Sequence, residues 1–183
     1  IFTDGYRGLR IYPNGSAEYR APQAGESPGL MDSRTVIEKG NEFISLHGGW
    51  PVGAYLSSFT TVGDMYQLEY SYRSLGMPVV GNQSPIELGL DERGVSIYLR
   101  SIRVPTERTG APMPSITAAR AIELLSSSWE SLFPGVPYAR ATDVYLGYHF
   151  FPRADAQVEM RPVWVISLQS GVKAYVDALI GTI

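Results

Sequence analysis

Along most of the 183-residue chain, apolar and polar residues alternate in short stretches cut by Gly, Pro, Asn and Asp, while two segments carry apolar residues at three- and four-residue steps. Alternation predicts half-buried strands, and the longer period predicts helices with one apolar face. Leu9-Arg10-Ile11-Tyr12 and Ala17-Glu18-Tyr19-Arg20, joined by Pro13-Asn14-Gly15-Ser16, predict an opening hairpin, because Asn-Gly supplies the backbone a tight turn needs. Residues 21–30, with Pro22, Gly25, Pro28 and Gly29, read as an irregular connection. Asp32-Ser33 then offers capping oxygens ahead of Val36, Ile37, Phe43 and Ile44, and Gly48-Gly49 offers a stop, so a helix is expected over 33–47 despite Gly40 in its middle. Four strands should follow, at 54–62, 65–72, 86–90 and 94–104. Tyr66, Tyr70 and Tyr72 share one parity, and so share a face, either core or open surface.

A second run of the same plan begins after residues 106–114, where Gly110, Pro112 and Pro114 interrupt any ladder and predict a linker. Ser115 or Thr117 can cap a helix whose apolar face is expected to be Ile122, Leu125, Trp129 and Leu132, ended by Phe133-Pro134-Gly135. Strands are expected at 141–151, 160–168 and 172–183, the first two separated by Pro152-Arg153-Ala154-Asp155. The expected fold class is therefore α+β. A hairpin and connection (1–31) precede two helix-plus-antiparallel-meander repeats, at 32–105 and 115–183, joined by the 106–114 linker. One helix over an antiparallel sheet buries one face, so each sheet should keep a second face that is wet or covers a partner.

Composition narrows the function classes. An apolar share of 44% and a charged share of 18% belong to a folded chain. Fifteen Lys+Arg against 18 Asp+Glu leave a net charge of -3, with no general attraction for phosphate backbones, so nucleic acid is not an expected partner. Without cysteine there is no disulfide, thiolate metal site or thiol nucleophile. No window has the run of about 20 apolar residues that a spanning helix needs. The chain starts at Ile1 rather than Met, so the native N-terminus is expected to lie upstream of it.

Candidate chemistry is sparse. His47 falls at a helix end beside Gly48-Gly49 and His149 falls among strand aromatics; both have ordinary structural roles there. No Gly-x-Ser-x-Gly elbow accompanies the glycines, and Gly76, Gly81, Gly89 and Gly94 fit no phosphate-loop or dinucleotide spacing. Asp91 with Glu92, and Asp155 with Glu159, lie in or beside expected turns, where carboxylates are common filling. The expectation is a non-enzyme with no catalytic residue, metal or cofactor. Twelve Tyr, six Phe and three Trp suit strands and recognition surfaces alike.

Three stretches carry a more specific pattern: Tyr145-Leu146-Gly147-Tyr148, then Arg161-Pro162-Val163-Trp164-Val165-Ile166, then Lys173-Ala174-Tyr175-Val176-Asp177-Ala178 with Gly181. In order and spacing this resembles the C-terminal signature of the YycH/YycI regulatory proteins of bacterial two-component systems, and the helix-then-meander plan also resembles the PepSY group. Gly147, Tyr148, Pro162, Trp164, Tyr175, Asp177 and Gly181 are the signature positions, and each has a structural role available to it. Asp177 stands where the family usually has Asn, and Ile180 where Thr commonly precedes the glycine. The resemblance implies an extracytoplasmic domain, anchored in the cell membrane, that modulates a membrane sensor histidine kinase by contact, alone or with a paralogous regulator. The PepSY likeness implies instead a module that binds a peptide or inhibits a peptidase.

Overall fold

The computed structural model describes residues 1–22, 29–81, 84–103, 116–152 and 158–183; the expected 106–114 linker and the turn carrying Asp155 lie outside them. The fold is mixed α+β with mostly antiparallel strands and few helices. Two compact units divide the chain: Ile1–Arg73 with Asn82–Val104, and Ser74–Gly81 with Pro105–Ile183.

In the first unit, β1 (Phe2–Thr3), β2 (Gly8–Ile11) and β3 (Ala17–Arg20) precede α1 (Ser33–Leu46), which leads to β4 (Ala54–Val62), β5 (Met65–Ser74), β7 (Ile86–Asp91) and β8 (Gly94–Arg100). β6 (Met77–Pro78) belongs to the second unit. The antiparallel order is β1-β2-β3-β8-β7-β5-β4, so the opening hairpin extends the sheet through Ala17–Arg20 against β8. β8 stops at Arg100, short of the expected 104.

Asp32 caps α1, its carboxylate accepting from Thr35 N (3.0 Å) and Thr35 Oγ1 (2.6 Å). The stripe Val36, Gly40, Ile44 is buried against Leu68, Tyr70, Ile86, Leu88 and Tyr98. The tyrosine parity thus resolves to core: Tyr66, Tyr70 and Tyr72 are all buried, each with its hydroxyl satisfied. Tyr66 Oη donates to Met31 O (2.8 Å) and accepts from Met31 N (2.9 Å), Tyr70 Oη donates to Asn41 Oδ1 (2.8 Å), and Tyr72 Oη to Arg103 O (2.7 Å). Burial pushes the Tyr70 phenol up to about 12, which keeps it a donor. The C-terminal end of α1 is tied to β8, where Tyr98 Oη donates to His47 O (3.0 Å) and Arg100 to Gly48 O (2.7 Å) and Gly49 O (2.8 Å).

The second unit carries α2 (Ala118–Ser127), α3 (Trp129–Leu132), β9 (Ala141–Pro152), β10 (Val158–Leu168) and β11 (Lys173–Asp177), with sheet order β11-β10-β9. Thr117 is the cap, accepting from Arg120 N (3.2 Å). Two details differ from the sequence expectation. The helix breaks at Ser128, and its buried face is Ala121, Leu125 and Trp129, a strict four-residue step, while Ile122 and Leu132 stay 41% exposed. The last strand ends at Asp177 instead of running to 183, because Asp177 Oδ1 accepts from Leu179 N (2.7 Å) and Ile180 N (3.1 Å) and so folds the chain into a turn. In each unit a helix covers one sheet face, while strand number and order differ between the two sheets.

Gly40 explains itself by distance: a Cβ there would lie 2.5 Å from Leu68 Cδ1. Gly40→Ala should gain roughly 0.5–1 kcal/mol of helix propensity but lose about 1–3 kcal/mol to overpacking, for a net loss of about 1 kcal/mol in chemical denaturation. A stabilised variant would show that α1 can lift off the sheet at no cost.

Candidate interaction surface

Period two assigns the two faces of the second unit's sheet. Trp164, Ile166, Leu168, Ala174 and Val176 face α2 and α3, and Trp164 Nε1 donates to Ile116 O (3.0 Å) just ahead of α2. Tyr145, Gly147, His149 and Phe151 of β9, with Glu159, Arg161, Val163 and Val165 of β10 and Tyr175 and Asp177 of β11, point the other way. The centre of that second face is closed, since Val163 and Val165 are fully buried. Of the two expectations for this face, wet or covered, its centre is covered. Val79 bridges to Tyr148 in parallel, and Val80 N donates to Tyr148 O (2.8 Å). Gly147 makes the approach possible: a Cβ would lie 3.0 Å from Pro78 O and 3.1 Å from Val80 Cγ1.

The signature residues divide between these faces in structural positions. Tyr148 and Pro162 are cross-strand partners, both buried, and Pro162 O accepts from Ala178 N (3.0 Å). Asp177, 2% exposed, combines its turn-capping bonds with Arg161 Nη1 (3.4 Å). Gly181, at φ 73°, closes the turn by donating to Asp177 O (2.9 Å). Tyr175 Oη donates to Gly81 O (3.4 Å); burial, and after it the neighbouring Tyr145, push the phenol up, so it stays a donor.

Around the closed centre lies a rim of aromatic and charged groups. His149 stacks on Tyr175 (5.4 Å between centroids) and meets Phe151 edge-on (5.0 Å). Its Nδ1 lies 3.1 Å from Val80 O, which only a protonated nitrogen can satisfy. Arg161 sits 5.5 Å over the Phe151 ring and pairs with Glu159 (2.8 Å). Tyr, Phe and Arg on a partly desolvated rim are the residue types that anchor protein interfaces.

The other candidates from the sequence resolve locally. His47 closes α1, its Nδ1 2.7 Å from Phe43 O and its ring stacked on Phe43 (4.0 Å). Asp91 is buried against Arg93 (2.6 Å); burial raises its pKa, Arg93 and its N–H lower it, and the net direction is down. Glu92 accepts from Gly29 N (3.0 Å). Among the described residues no group of three or more His, Asp or Glu could hold a metal, and no helix is long and apolar enough to cross a membrane.

Sequence reasoning missed one pair. Glu69 and Glu87 are direct cross-strand partners on the helix-free face of the first unit's sheet. Ser84 serves both, its Oγ donating to Glu69 Oε2 (2.8 Å) and its N–H to Glu87 Oε1 (3.2 Å). Burial first, and then Glu69, raise the Glu87 pKa against the lowering by Ser84 N–H. Each glutamate has the polar parity of its strand, so the signal was present, but their pairing needed the register.

No protein-family model matches the chain, and no curated protein matches it. Among solved structures it is similar to the Bacillus megaterium YpeB C-terminal domain, with a TM-score of 0.50 and 9% identity over 98% of this chain and 88% of that one. At that identity the likeness shows the fold alone, one shared with that domain.

Two outcomes follow from this geometry. Asp177→Ala leaves two turn N–H groups without their acceptor and Arg161 with Glu159 alone, and should cost about 2 kcal/mol or more, whereas Asp177→Asn, which keeps Oδ1, should stay within about 1 kcal/mol of the parent in denaturant titration. Glu87 has a folded pKa above its unfolded value, so its ionisation opposes folding as pH rises through the carboxylate range. Glu87→Gln should therefore raise the melting temperature at neutral pH, and the gain should vanish on acidification below the ordinary glutamate pKa.

Proposed function

We propose that this protein is a non-enzymatic, extracytoplasmic interaction module that modulates a membrane sensor histidine kinase by direct contact, using the rim of the second unit's sheet. The observation that carries the reading is the Phe151–His149–Tyr175–Arg161 cluster, held together from three strands and aimed away from the helices. Three further points support it. The YycH/YycI-like signature builds this same sheet, the PepSY-like fold is one whose members are generally regulatory or inhibitory, and both histidines are engaged by backbone carbonyls. Contact with the kinase would act by favouring one of its conformational states, which requires only different affinities for the two. Membrane anchorage upstream of Ile1 and a paralogous regulator as co-partner are parts of the same reading.

A second reading, a peptide-binding or peptidase-inhibitory module, is favoured by the outer edge of β11. Ala178 N–H donates to Pro162 O, so alternation turns the backbone groups of Lys173 and Tyr175 outward, where an extended segment could pair.

Affinity capture of the full-length protein from its native membranes distinguishes the two. The expected result is recovery of a sensor kinase, weakened by Phe151→Ala while the melting temperature holds. Recovery of a peptidase whose activity falls on binding would replace the kinase reading with the second. Recovery of neither, with the bait shown to be folded, would overturn both.

A further inference from the structure

The first unit's sheet ends on β4, and that edge lacks most of the devices that keep exposed strands from pairing. Its nine residues, Ala54–Val62, read Ala-Tyr-Leu-Ser-Ser-Phe-Thr-Thr-Val, with no charge, proline or glycine. The opposite end of the same sheet, β1, has only two residues. The one irregularity in β4 is a register shift between Leu56 and Ser58. From Ser58 opposite Glu69 to Val62 opposite Met65 the ladder is regular, and it closes at Gly63–Asp64, where Gly63 has φ 60°. A two-residue turn makes Val62 and Met65 a hydrogen-bonded pair. Alternation then points the N–H and C=O of Phe59 and Thr61 away from β5, and no described residue pairs with them.

We infer that β4 is a self-association edge, pairing antiparallel with β4 of a second copy about a two-fold axis at Thr60. Charge selects the occupant. In an isologous antiparallel pair every strand faces its own sequence, so a charged residue near the axis would meet its like, and β4 contains none. Geometry selects the register. The regular span Ser58–Val62 has Thr60 at its middle; centring one residue earlier draws the irregularity at Ser57 into the ladder, and one later draws in the turn. With Thr60 on the axis, the outward groups of Phe59 meet those of Thr61 in the second copy, and the reverse. That gives two aromatic–β-branched pairs flanking a close Thr60–Thr60 pair. So short a ladder is small beside a standard interface, which places the association in the weak, transient class. The inference is independent of the proposed kinase contact.

The absence of cysteine makes the test direct. Thr60→Cys introduces a single thiol, and at a non-hydrogen-bonded antiparallel pair two such Cβ atoms are close enough to bridge. Mild oxidation should cross-link Thr60→Cys dimers many-fold faster than Val52→Cys, whose site is 92% exposed but off the strand. Sedimentation equilibrium should show the parent dimerising as its concentration rises toward millimolar. Thr61→Pro, which removes only an outward N–H, should abolish both signals with the circular dichroism spectrum unchanged; Thr60→Lys, which sets like charges opposite each other, should do the same if Thr61→Pro fails to fold. A parent that stays monomeric, a dimer that persists in these variants, or equal cross-linking at residues 52 and 60 overturns the inference. Loss of partner capture by Thr61→Pro, in a parent that stays monomeric, assigns the edge to a partner's extended segment instead.

Discussion

Everything else in this fold depends on how closely each helix can approach its sheet. A sheet with one apolar face is stable only when something covers it, and a helix covers it well only if the contact row is small enough to seat deeply. The contact row of α1 is Val36, Gly40, Ile44, with glycine at the middle. That of the second unit is Ala121, Leu125, Trp129, with alanine leading. Deep seating puts tyrosine hydroxyls from the strands within reach of Asn41 inside α1 and of backbone groups just beyond its two ends, at Met31 and His47. Those hydroxyls then satisfy groups that the same burial would otherwise strand, and among the described residues no buried side-chain polar atom lacks a partner.

This accounts for which parts of the fold were legible in the sequence. Period located both helices and most strands, since apolar spacing is a local property, and residue type narrowed the caps to Asp32-Ser33 and to Ser115 or Thr117, of which Asp32 and Thr117 cap. It misassigned the second helix's face because Ile122 and Leu132 are as apolar as Leu125; only the position of the sheet distinguishes the row that begins at Ala121. It overran the last strand because the apolar run to Ile183 continues past a carboxylate whose hydrogen bonds to Leu179 and Ile180 cannot be read from composition. On the second sheet, the approach of Pro78 and Val80 to Gly147 and Tyr148 joins residues about seventy positions apart, which no local period records.

The seven signature positions have a bearing on where function is encoded. Gly147 admits the Pro78–Val80 backbone, Pro162 and Tyr148 pair across strands, Trp164 anchors the approach to α2, and Asp177 with Gly181 terminates the sheet. Each is needed to build the platform, and none except Tyr175 contributes a ring to its rim. A fold likeness at 9% identity leaves the residues of such a rim free to differ. In the proposed contact, partner choice would belong to the side chains that the platform holds up, Phe151, His149 and Arg161, whose stacking and ion pairing fix their geometry without committing them to any one partner.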